Sequence, residues 1–410
     1  MVPRGFRRVL GLGVLATASW TRAHDQDAAG EARSAPRIPV VLATVETEPM
    51  PSEDDAADDA VVWPFMPGSQ EHAGAIVGTD KRGGLAVYDL QGRERQYSFD
   101  VRPNNVDFRL ARLIGDDAPT RPVFAASDRR GGGFEMFAVP PSHNKGWPLL
   151  AGVEVPEPSE QLDEPYGLCM YRSASTGKIH VFVNDKSGRV QQWRLDLLGD
   201  LTGLSTITGY SPRLVRTFNV GGQVEGMAAD DELGWLYVGE ERTGLWRYHA
   251  EPWTLPEDHP FSTEESDHER APVDLVEPHG RLTADVEGVD IAIEGPDGAG
   301  YLLVSSQEAD RFDAYERRPP NRYVGSFRVG GGDGIDDVSH TDGLAVYVGD
   351  LGPGFPHGVL VVQDDENTLG SGTDGERANQ NFKLVPWERV RAVLESASAH
   401  RAAAQGGHAP

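Results

Sequence analysis

The residues best suited to chemistry recur at one step of a repeated sequence pattern. Six motifs begin with polar residues about twenty positions before the ends of six apolar runs, and acids lie at or beside those motif starts. The acids are Asp58, Asp59, Asp107, Glu225, Asp285, Glu287 and Asp342. Basic residues follow the ends of the apolar runs, namely Lys81, Arg82, Arg129, Lys186, Arg242 and Arg311.

Carboxylates that gather at one place need a cation between them. Like charges ~4 Å apart repel by several kcal/mol at an effective dielectric constant of about 20. Oxygen ligands without cysteine or a histidine pair favour Ca²⁺ or Mg²⁺, and a loose ring of many oxygens favours Ca²⁺. Lys and Arg bind phosphate groups. The pattern therefore predicts several Ca²⁺ ions beside a ligand with several phosphates, although each residue alone could also be ordinary solvated surface.

Motifs for covalent catalysis are missing from the sequence. There is no G-x-S-x-G, no R-H-G and no H-E-x-x-H, and Cys169 is the only cysteine. One cysteine excludes an internal disulfide and a multi-thiolate metal site. The glycine-rich segment 330–334 lacks the strand and helix context of a nucleotide loop and is interpreted as a turn.

The apolar runs themselves predict the fold. They end at residues 80, 128, 185, 241, 307 and 364, between 48 and 66 residues apart, and five are followed by a cation and a second aromatic run. A period of this length with about four strands per unit is typical of propeller blades. We therefore predict an all-β, six-bladed β-propeller, with two β-sandwiches as the alternative. Antiparallel neighbours would bring the motif starts and the run ends to one face.

The ends of the chain have different characters. Residues 1–23 contain Arg4, Arg7 and Arg8 before a short apolar run, which predicts a signal peptide and a secreted or periplasmic protein. Residues 37–390 are assigned to the propeller and 391–410 to a C-terminal helix and tail, with the helix pattern itself running over 386–404. The Pro-rich segment 251–273 is interpreted as a surface insertion.

Charge restricts the partners. The net charge of −26 repels nucleic acid and anionic membranes, so neither is expected as a partner. A monomer is expected. The composition, with 39% hydrophobic residues, supports a large buried core and excludes a disordered chain.

Long motifs in a fixed order resemble the β-propeller phytases, a family of secreted, calcium-dependent alkaline phytases (3-phytases). The resemblance runs from about residue 45 to 390. The motifs include ETEP at 46–49, DAADDAVVW at 55–63, TDKRGGLAVYDLQG at 79–92, NNVDFR at 104–109, EPYG at 164–167, VEGMAADDELGWLYVGEE at 224–241, LTADVEG at 282–288, TDGL at 341–344, QDDEN at 363–367 and QNFKLVPWERV at 380–390.

The resemblance implies hydrolysis of phytate, myo-inositol hexakisphosphate, as its calcium complex. Calcium-held water would attack phosphorus, with no covalent phospho-enzyme. The implied active-site calcium ligands are Asp58, Tyr166, Glu225, Glu241, Asp285, Glu287 and Asp342, among which Asp58, Tyr166 and Glu225 are assigned as catalytic. The implied phosphate-binding residues are Lys81, Arg82, Arg129, Lys186 and Gln307.

Two structural calcium sites are also implied by the resemblance. Glu46 and Asp59 would bind one ion in the channel, beside the segment 105–107 that contains Asp107. Asp336, Glu366 and Asn367 would bind another.

The chain departs from the family pattern at three positions. Arg82 stands where a second lysine is common, Ala60 replaces the usual proline, and His340 replaces an acid close to Asp342. Two other functions stay open from sequence: a non-catalytic calcium-binding propeller for polyphosphorylated ligands, and a metal-dependent lactonase or esterase. The outer set of cations argues against the lactonase or esterase.

Overall fold

The structure, a computed structural model, describes residues 37–64, 74–98, 101–112, 120–139, 150–153, 160–199, 207–252, 270–369 and 376–406. The predicted signal peptide and residues 407–410 lie outside the described residues, as does the part of the predicted insertion between 253 and 269. The last three residues assigned to that insertion, 271–273, belong instead to a strand, because the outer edge of a blade begins there.

The described strands form six blade sheets and one separate two-stranded sheet. Two short strands, β1 (Val40–Leu42) and β2 (Val45–Glu46), come first. Blade 1 contains β3 (Ala57–Pro64), β4 (Gly74–Asp80), β5 (Gly84–Asp89) and β6 (Glu94–Ser98). Blade 2 contains β7 (Val106–Arg112), β8 (Thr120–Asp128), β9 (Gly133–Ala138) and β10 (Ala151–Val153). Blade 3 contains β11 (Pro165–Arg172), β12 (Ile179–Asp185), β13 (Arg189–Gly199) and β14 (Ile207–Asn219).

Blade 4 contains β15 (Val224–Asp230), β16 (Trp235–Glu240), β17 (Gly244–His249) and β18 (Ala271–Leu275). Blade 5 contains β19 (Val286–Ile293), β20 (Gly300–Ser306), β21 (Arg311–Glu316) and β22 (Tyr323–Gly330). Blade 6 contains β23 (Leu344–Tyr347), β24 (Val359–Asp364) and β27 (Asn381–Pro386). A small hairpin of β25 (Thr368–Leu369) and β26 (Glu376–Arg377) precedes β27.

Six apolar clusters lie between successive blades and close the ring. One cluster joins blades 1 and 2 through residues such as Val77 and Phe124, and another joins blades 6 and 1 through Phe382 and Ile76. Apolar clusters on both sides of each sheet explain why the second strands are rich in apolar residues, and β4, β12 and β24 are buried throughout. The prediction of a six-bladed β-propeller is therefore confirmed.

The acids at the ends of several second strands stabilise the turns that follow those strands. The Asp80 carboxylate accepts hydrogen bonds from the backbone N–H groups of Arg82 and Gly83, at 3.0 Å each. Asp128 accepts in the same way from Arg130 and Gly131. A short acidic side chain that bonds backbone amides two or three residues ahead stabilises a tight turn. These run-end acids thereby fix the turns that contain the basic residues.

Blade 6 is completed by the N-terminal part of the chain. Strand β2 pairs antiparallel with β27, with Glu46 opposite Lys383. Strand β1 pairs parallel with β22 and adds a fifth strand to blade 5. Sequence analysis did not predict either pairing.

A single long helix, α1 (Trp387–Gly406), follows β27 and packs on blades 5 and 6. Trp387, Val390 and Leu394 are fully buried on one side of it, and the Trp387 indole donates to Glu294 Oε1 at 2.8 Å. The helix predicted over 386–404 is thus present. No helix within the described residues combines the length and apolar character needed to cross a bilayer.

Replacing Leu394 by alanine should lower the free energy of unfolding by about 2–5 kcal/mol, because the change leaves a cavity under the helix. The urea midpoint, followed by far-UV circular dichroism, measures this loss. Glu395→Ala is the matched control, since Glu395 is exposed on the same helix. Equal midpoints for the two variants would contradict the packing described.

Candidate active site

Bulges at the starts of four inner strands position the candidate site residues. In β3, residues 58 and 59 together face the single residue Thr79, and the same two-against-one pairing recurs at residues 166–167, 225–226 and 287–288. A bulge redirects side chains and ends regular pairing. The first residues of these bulges, Asp58, Tyr166, Glu225 and Glu287, therefore come together at the mouth of the channel.

Glycine at the second bulge position lets neighbouring inner strands approach closely. A Cβ atom at Gly226 would lie 1.9 Å from the backbone oxygen of Glu287, and one at Gly167 would lie 1.9 Å from that of Glu225. No side chain fits there. The Tyr166–Gly167 and Glu225–Gly226 pairs therefore mark the places where neighbouring blades are in close contact. This contact places the site residues side by side.

Three buried glutamates form the centre of the site. Carboxylate oxygens of Glu225, Glu241 and Glu287 lie within 4.8 Å of one another. Asp58 is also buried, at 1% exposure. Among the described residues, Asp58 Oδ2, Glu241 Oε1 and Glu287 Oε2 have no hydrogen-bond partner. Buried carboxylate oxygens without partners are costly, and this donor set fits a hard divalent cation.

The pKa values of these three glutamates reflect the crowding of buried carboxylates. Burial, and then the charge of Glu225, raise the pKa of Glu287 well above its usual range. Burial also raises the pKa of Glu241 to about 7, with Glu225 adding to the shift. Burial opposes ionisation of Glu225 too, but hydrogen bonds from Glu287, Tyr166 and Asn104 and the charge of Lys81 lower its pKa. A bound cation would allow more of these carboxylates to be ionised together.

Lys81 lines a cavity at this channel mouth. Its Nζ is 3.0 Å from Asp342 Oδ2 and 2.5 Å from Asp55 Oδ1, and Gln307 donates to the second oxygen of Asp342. Burial, although opposed by Lys81, raises the pKa of Asp342 to about 6. The cavity has a volume of about 320 Å³, and its lining includes Lys81, Tyr166, Glu225, Glu287, Gln307, His340 and Asp342.

Further cations surround this mouth. Lys186 Nζ lies 4.9 Å and Arg129 Cζ 5.5 Å from the centre of the Tyr166 ring, so both flank the phenol that donates to Glu225. Arg82 is half exposed and lies 3.5 Å from Asp54. The structure therefore brings Arg129 and Lys186 together at Tyr166, whereas the described side-chain contacts of Arg82 are with the exposed loop before β3.

Asp285 lies at the edge of the site. Its carboxylate is 3.8 Å from Arg242, and its backbone oxygen accepts from the N–H of Gln307. The residues predicted as active-site calcium ligands are thus gathered at one end of the channel, with their ligand roles still a prediction.

Asp59 and Asp107 lie deeper, along a narrow channel cavity of about 50 Å³. Asp59 accepts from the backbone N–H of Val106, and Asp107 accepts from that of Met170. Each carboxylate therefore links one blade to the next. Arg109 forms a 2.9 Å ion pair with Asp107, so part of this negative charge is balanced by the chain itself.

Glu46 lies elsewhere, which corrects its predicted grouping with Asp59. It pairs with the fully buried ammonium group of Lys383 at 3.0 Å. Lys383 also contacts Asp336 at 2.6 Å, Asp364 at 3.0 Å and the Asn367 side-chain oxygen at 3.4 Å. The structure thus groups Glu46 with Asp336 and Asn367, because β2 pairs with β27.

Glu366 is exposed, and its described contact is a hydrogen bond from its backbone N–H to Ser339 Oγ. The structure therefore does not bring its side chain into the group around Lys383. The single positive charge of that ammonium ion offsets only one of the three carboxylates it contacts, those of Glu46, Asp336 and Asp364. Calcium binding by Asp336, Glu366 and Asn367 stays a prediction.

Sequence reasoning passed over Asn104 and Lys383 as site residues, although both lie in quoted motifs. Asn104 Nδ2 donates to Glu225 Oε1 at 2.7 Å. Asn104 is uncharged, so a search for charged residues at the motif starts does not select it. The spacing of QNFKLVPWERV does not indicate that its lysine, Lys383, is buried.

Together, the fold and this cluster define a β-propeller with a candidate metal centre at the channel mouth and phosphate-compatible cations around it. The family model described as Phytase matches residues 10–401, and the chain belongs to that family.

Among curated proteins, the 3-phytase of Bacillus subtilis (strain 168) is 36% identical over 354 residues, which cover 85% of this chain and 84% of that protein. Among solved structures, a putative oxidoreductase (glucose dehydrogenase) from Thermus thermophilus aligns with a TM-score of 0.41 at 14% identity, covering 81% of this chain and 99% of that one.

Replacing Lys383 by methionine should lower the free energy of unfolding by about 3–5 kcal/mol, because it leaves buried carboxylates without their cation. Urea unfolding in the presence of a chelator measures the loss. Lys178→Met is the control, since Lys178 is half exposed in its pair with Asp196. A midpoint for Lys383→Met as high as that of Lys178→Met would refute the role given to Lys383.

Proposed function

We propose that this protein is a calcium-dependent phytase that removes phosphate from myo-inositol hexakisphosphate bound as its calcium complex. The observation that carries the proposal is the set of buried carboxylate oxygens without hydrogen-bond partners, on Asp58, Glu241 and Glu287, next to a cavity that also contains Lys81. Family membership and the similarity to a 3-phytase support the choice of substrate.

The acids at the mouth would hold calcium. The proposed ligands are Asp58, Tyr166, Glu225, Glu241, Asp285, Glu287 and Asp342. Calcium bound there would neutralise phosphate oxygens and supply a water molecule for direct attack on phosphorus. Among the described residues that line the cavity there is no serine, threonine or cysteine, which favours attack by water over a phospho-enzyme on one of these side chains.

The cations of the chain would hold the substrate. Lys81, which lies 3.0 Å from Asp342, would bind the phosphate nearest the acids, while Arg129 and Lys186 at the Tyr166 ring would bind a neighbouring phosphate. Arg82 and Gln307 complete the proposed phosphate-binding set. A ligand with one phosphate can reach only one of these zones, whereas phytate can reach both. Association with calcium also reduces the repulsion between phytate and a protein of net charge −26.

We also propose that the protein is exported, on the basis of the basic and apolar pattern of residues 1–23. The single cysteine, Cys169, is buried and forms no disulfide, so folding outside the cytoplasm requires no thiol oxidation.

Purified protein should release phosphate from phytate in calcium and lose nearly all of this release in EGTA. Adding calcium back should restore it. Calcium should also raise the unfolding temperature, because an ion that binds only the folded state at 100 times its Kd stabilises that state by about 2.7 kcal/mol.

Colorimetric phosphate measurement and differential scanning fluorimetry test both expectations. Full phosphate release in excess EGTA would rule out the calcium-dependent reaction. Binding of phytate in calcium without any phosphate release would instead identify a non-catalytic calcium-binding propeller.

Replacing Glu225 by glutamine should preserve the fold and reduce phosphate release by more than the ~10–100-fold typical for loss of an outer-shell partner. The amide removes the ionised oxygen that the surrounding donors stabilise. Glu240→Gln is the matched control, because Glu240 is a buried glutamate that accepts from Trp246 outside the cavity lining. Unchanged kcat in Glu225→Gln would remove Glu225 from the catalytic site.

A further inference from the structure

Asn104 occupies a mouth position without carrying a charge. It begins the motif of blade 2, as Asp58, Tyr166, Glu225, Glu287 and Asp342 begin those of the other blades. Its side chain is fully buried. Blade 2 therefore has a neutral amide at the position where four other blades have a carboxylate.

The side chain of Asn104, which precedes the first strand of blade 2, contacts a residue of blade 4. Its Nδ2 donates to Glu225 Oε1 at 2.7 Å, while the Tyr166 hydroxyl donates to Glu225 Oε2 at 2.8 Å. Each oxygen of Glu225 thus receives a neutral donor from a different blade. Only the nitrogen end of the amide can face a carboxylate favourably, since an amide oxygen there would repel it.

The backbone of Asn104 is fixed on both sides. Thr79 Oγ1 in blade 1 donates to the Asn104 carbonyl oxygen at 2.8 Å, and the Asn104 N–H donates to Ser127 Oγ at 3.0 Å. Ser127 Oγ also accepts from the N–H of Asn105. With the backbone held in this way, the amide group has little freedom to leave Glu225.

The remaining contacts of the amide argue against a purely structural role. Besides Glu225, the one described hydrogen-bond partner of its nitrogen is the side chain of the adjacent Asn105, at 3.2 Å. Its Oδ1 is buried and has no hydrogen-bond partner among the described residues. An amide selected only for stability would have both ends satisfied, because an unpaired buried polar atom costs about 1–3 kcal/mol.

We propose that Asn104 is a positioning residue for Glu225. By donating to Oε1 it fixes the orientation of the carboxylate, so that Glu225 is held ready for calcium and substrate together with Tyr166. This inference rests on the proposed phytase function for its effect on turnover, but its effect on calcium binding can be measured without turnover.

Two variants separate the donor from the oxygen of the amide. Asn104→Leu fills a similar volume and has neither group, while Asn104→Asp keeps an oxygen but lacks the N–H. If the donor matters, both variants should lose about 10–100-fold in kcat with little change in KM, as outer-shell partners do. Both should also bind calcium about 10–100-fold more weakly in isothermal titration calorimetry.

Asn321→Asp is the matched control. Asn321 is a buried asparagine whose Nδ2 donates to Tyr237 and to backbone oxygens, away from the cavity. This variant should lower the unfolding temperature and leave kcat per folded molecule and calcium affinity unchanged. The contrast separates loss of stability from loss of positioning, and Asn104→Asp provides the test if Asn104→Leu does not fold.

The possible outcomes are distinct. Wild-type kcat and calcium affinity in Asn104→Leu would overturn the proposal. Losses confined to Asn104→Leu, with Asn104→Asp at wild-type values, would show that the oxygen acts as a metal ligand and would also overturn it. If the wild-type protein released no phosphate, the proposed function would fall, while weaker calcium binding in both variants would still support positioning by Asn104.

Discussion

The constraint on which this site depends is electrostatic. Six blades converge on one channel, and four of them place a buried acid at its mouth. The chain balances some of this charge itself, with Lys81 near Asp342 and Arg109 near Asp107. Within the part of the chain that the structure describes, Glu241 Oε1 and Glu287 Oε2 have no hydrogen-bond partner. A protein can tolerate this arrangement when a bound cation supplies the missing charge, and the same cation gives the site its proposed chemistry.

Backbone geometry makes this concentration of charge possible. A regular inner strand would alternate its side chains between the two faces of the blade, so acids at its start would not all enter the channel mouth. The bulges at Glu225 and Glu287 redirect them, and the glycines that follow let adjacent strands approach. In each Glu-Gly pair, the glutamate therefore supplies a carboxylate to the channel mouth, and the glycine allows the neighbouring strand to pack closely.

The sequence predicted the parts of the molecule that repeat. Inner strands and second strands recur six times, with an acid at the inner-strand start in four of the repeats. A repeated signal is readable even when each copy is weak. Contacts that occur once were not predictable in this way. The pairing of Glu46 with Lys383 joins residues 337 positions apart, and no local pattern indicates it. Asn104 was missed because its contribution is a hydrogen bond to a charge on another blade, not a charge of its own.

The completion of blade 6 by β2 has a consequence for how the protein is made. A ribosome delivers Glu46 long before Lys383, so the early strand has no partner until the rest of the propeller has been synthesised. Loop closure over such a separation is entropically costly and tends to slow folding. The Gly343 N–H of blade 6 also donates a hydrogen bond to the Asp58 carbonyl oxygen of blade 1. The channel mouth is therefore complete only when the ring of six blades has closed. Newly made chains should therefore assemble the candidate metal centre in the last step of folding, after translocation if the protein is exported.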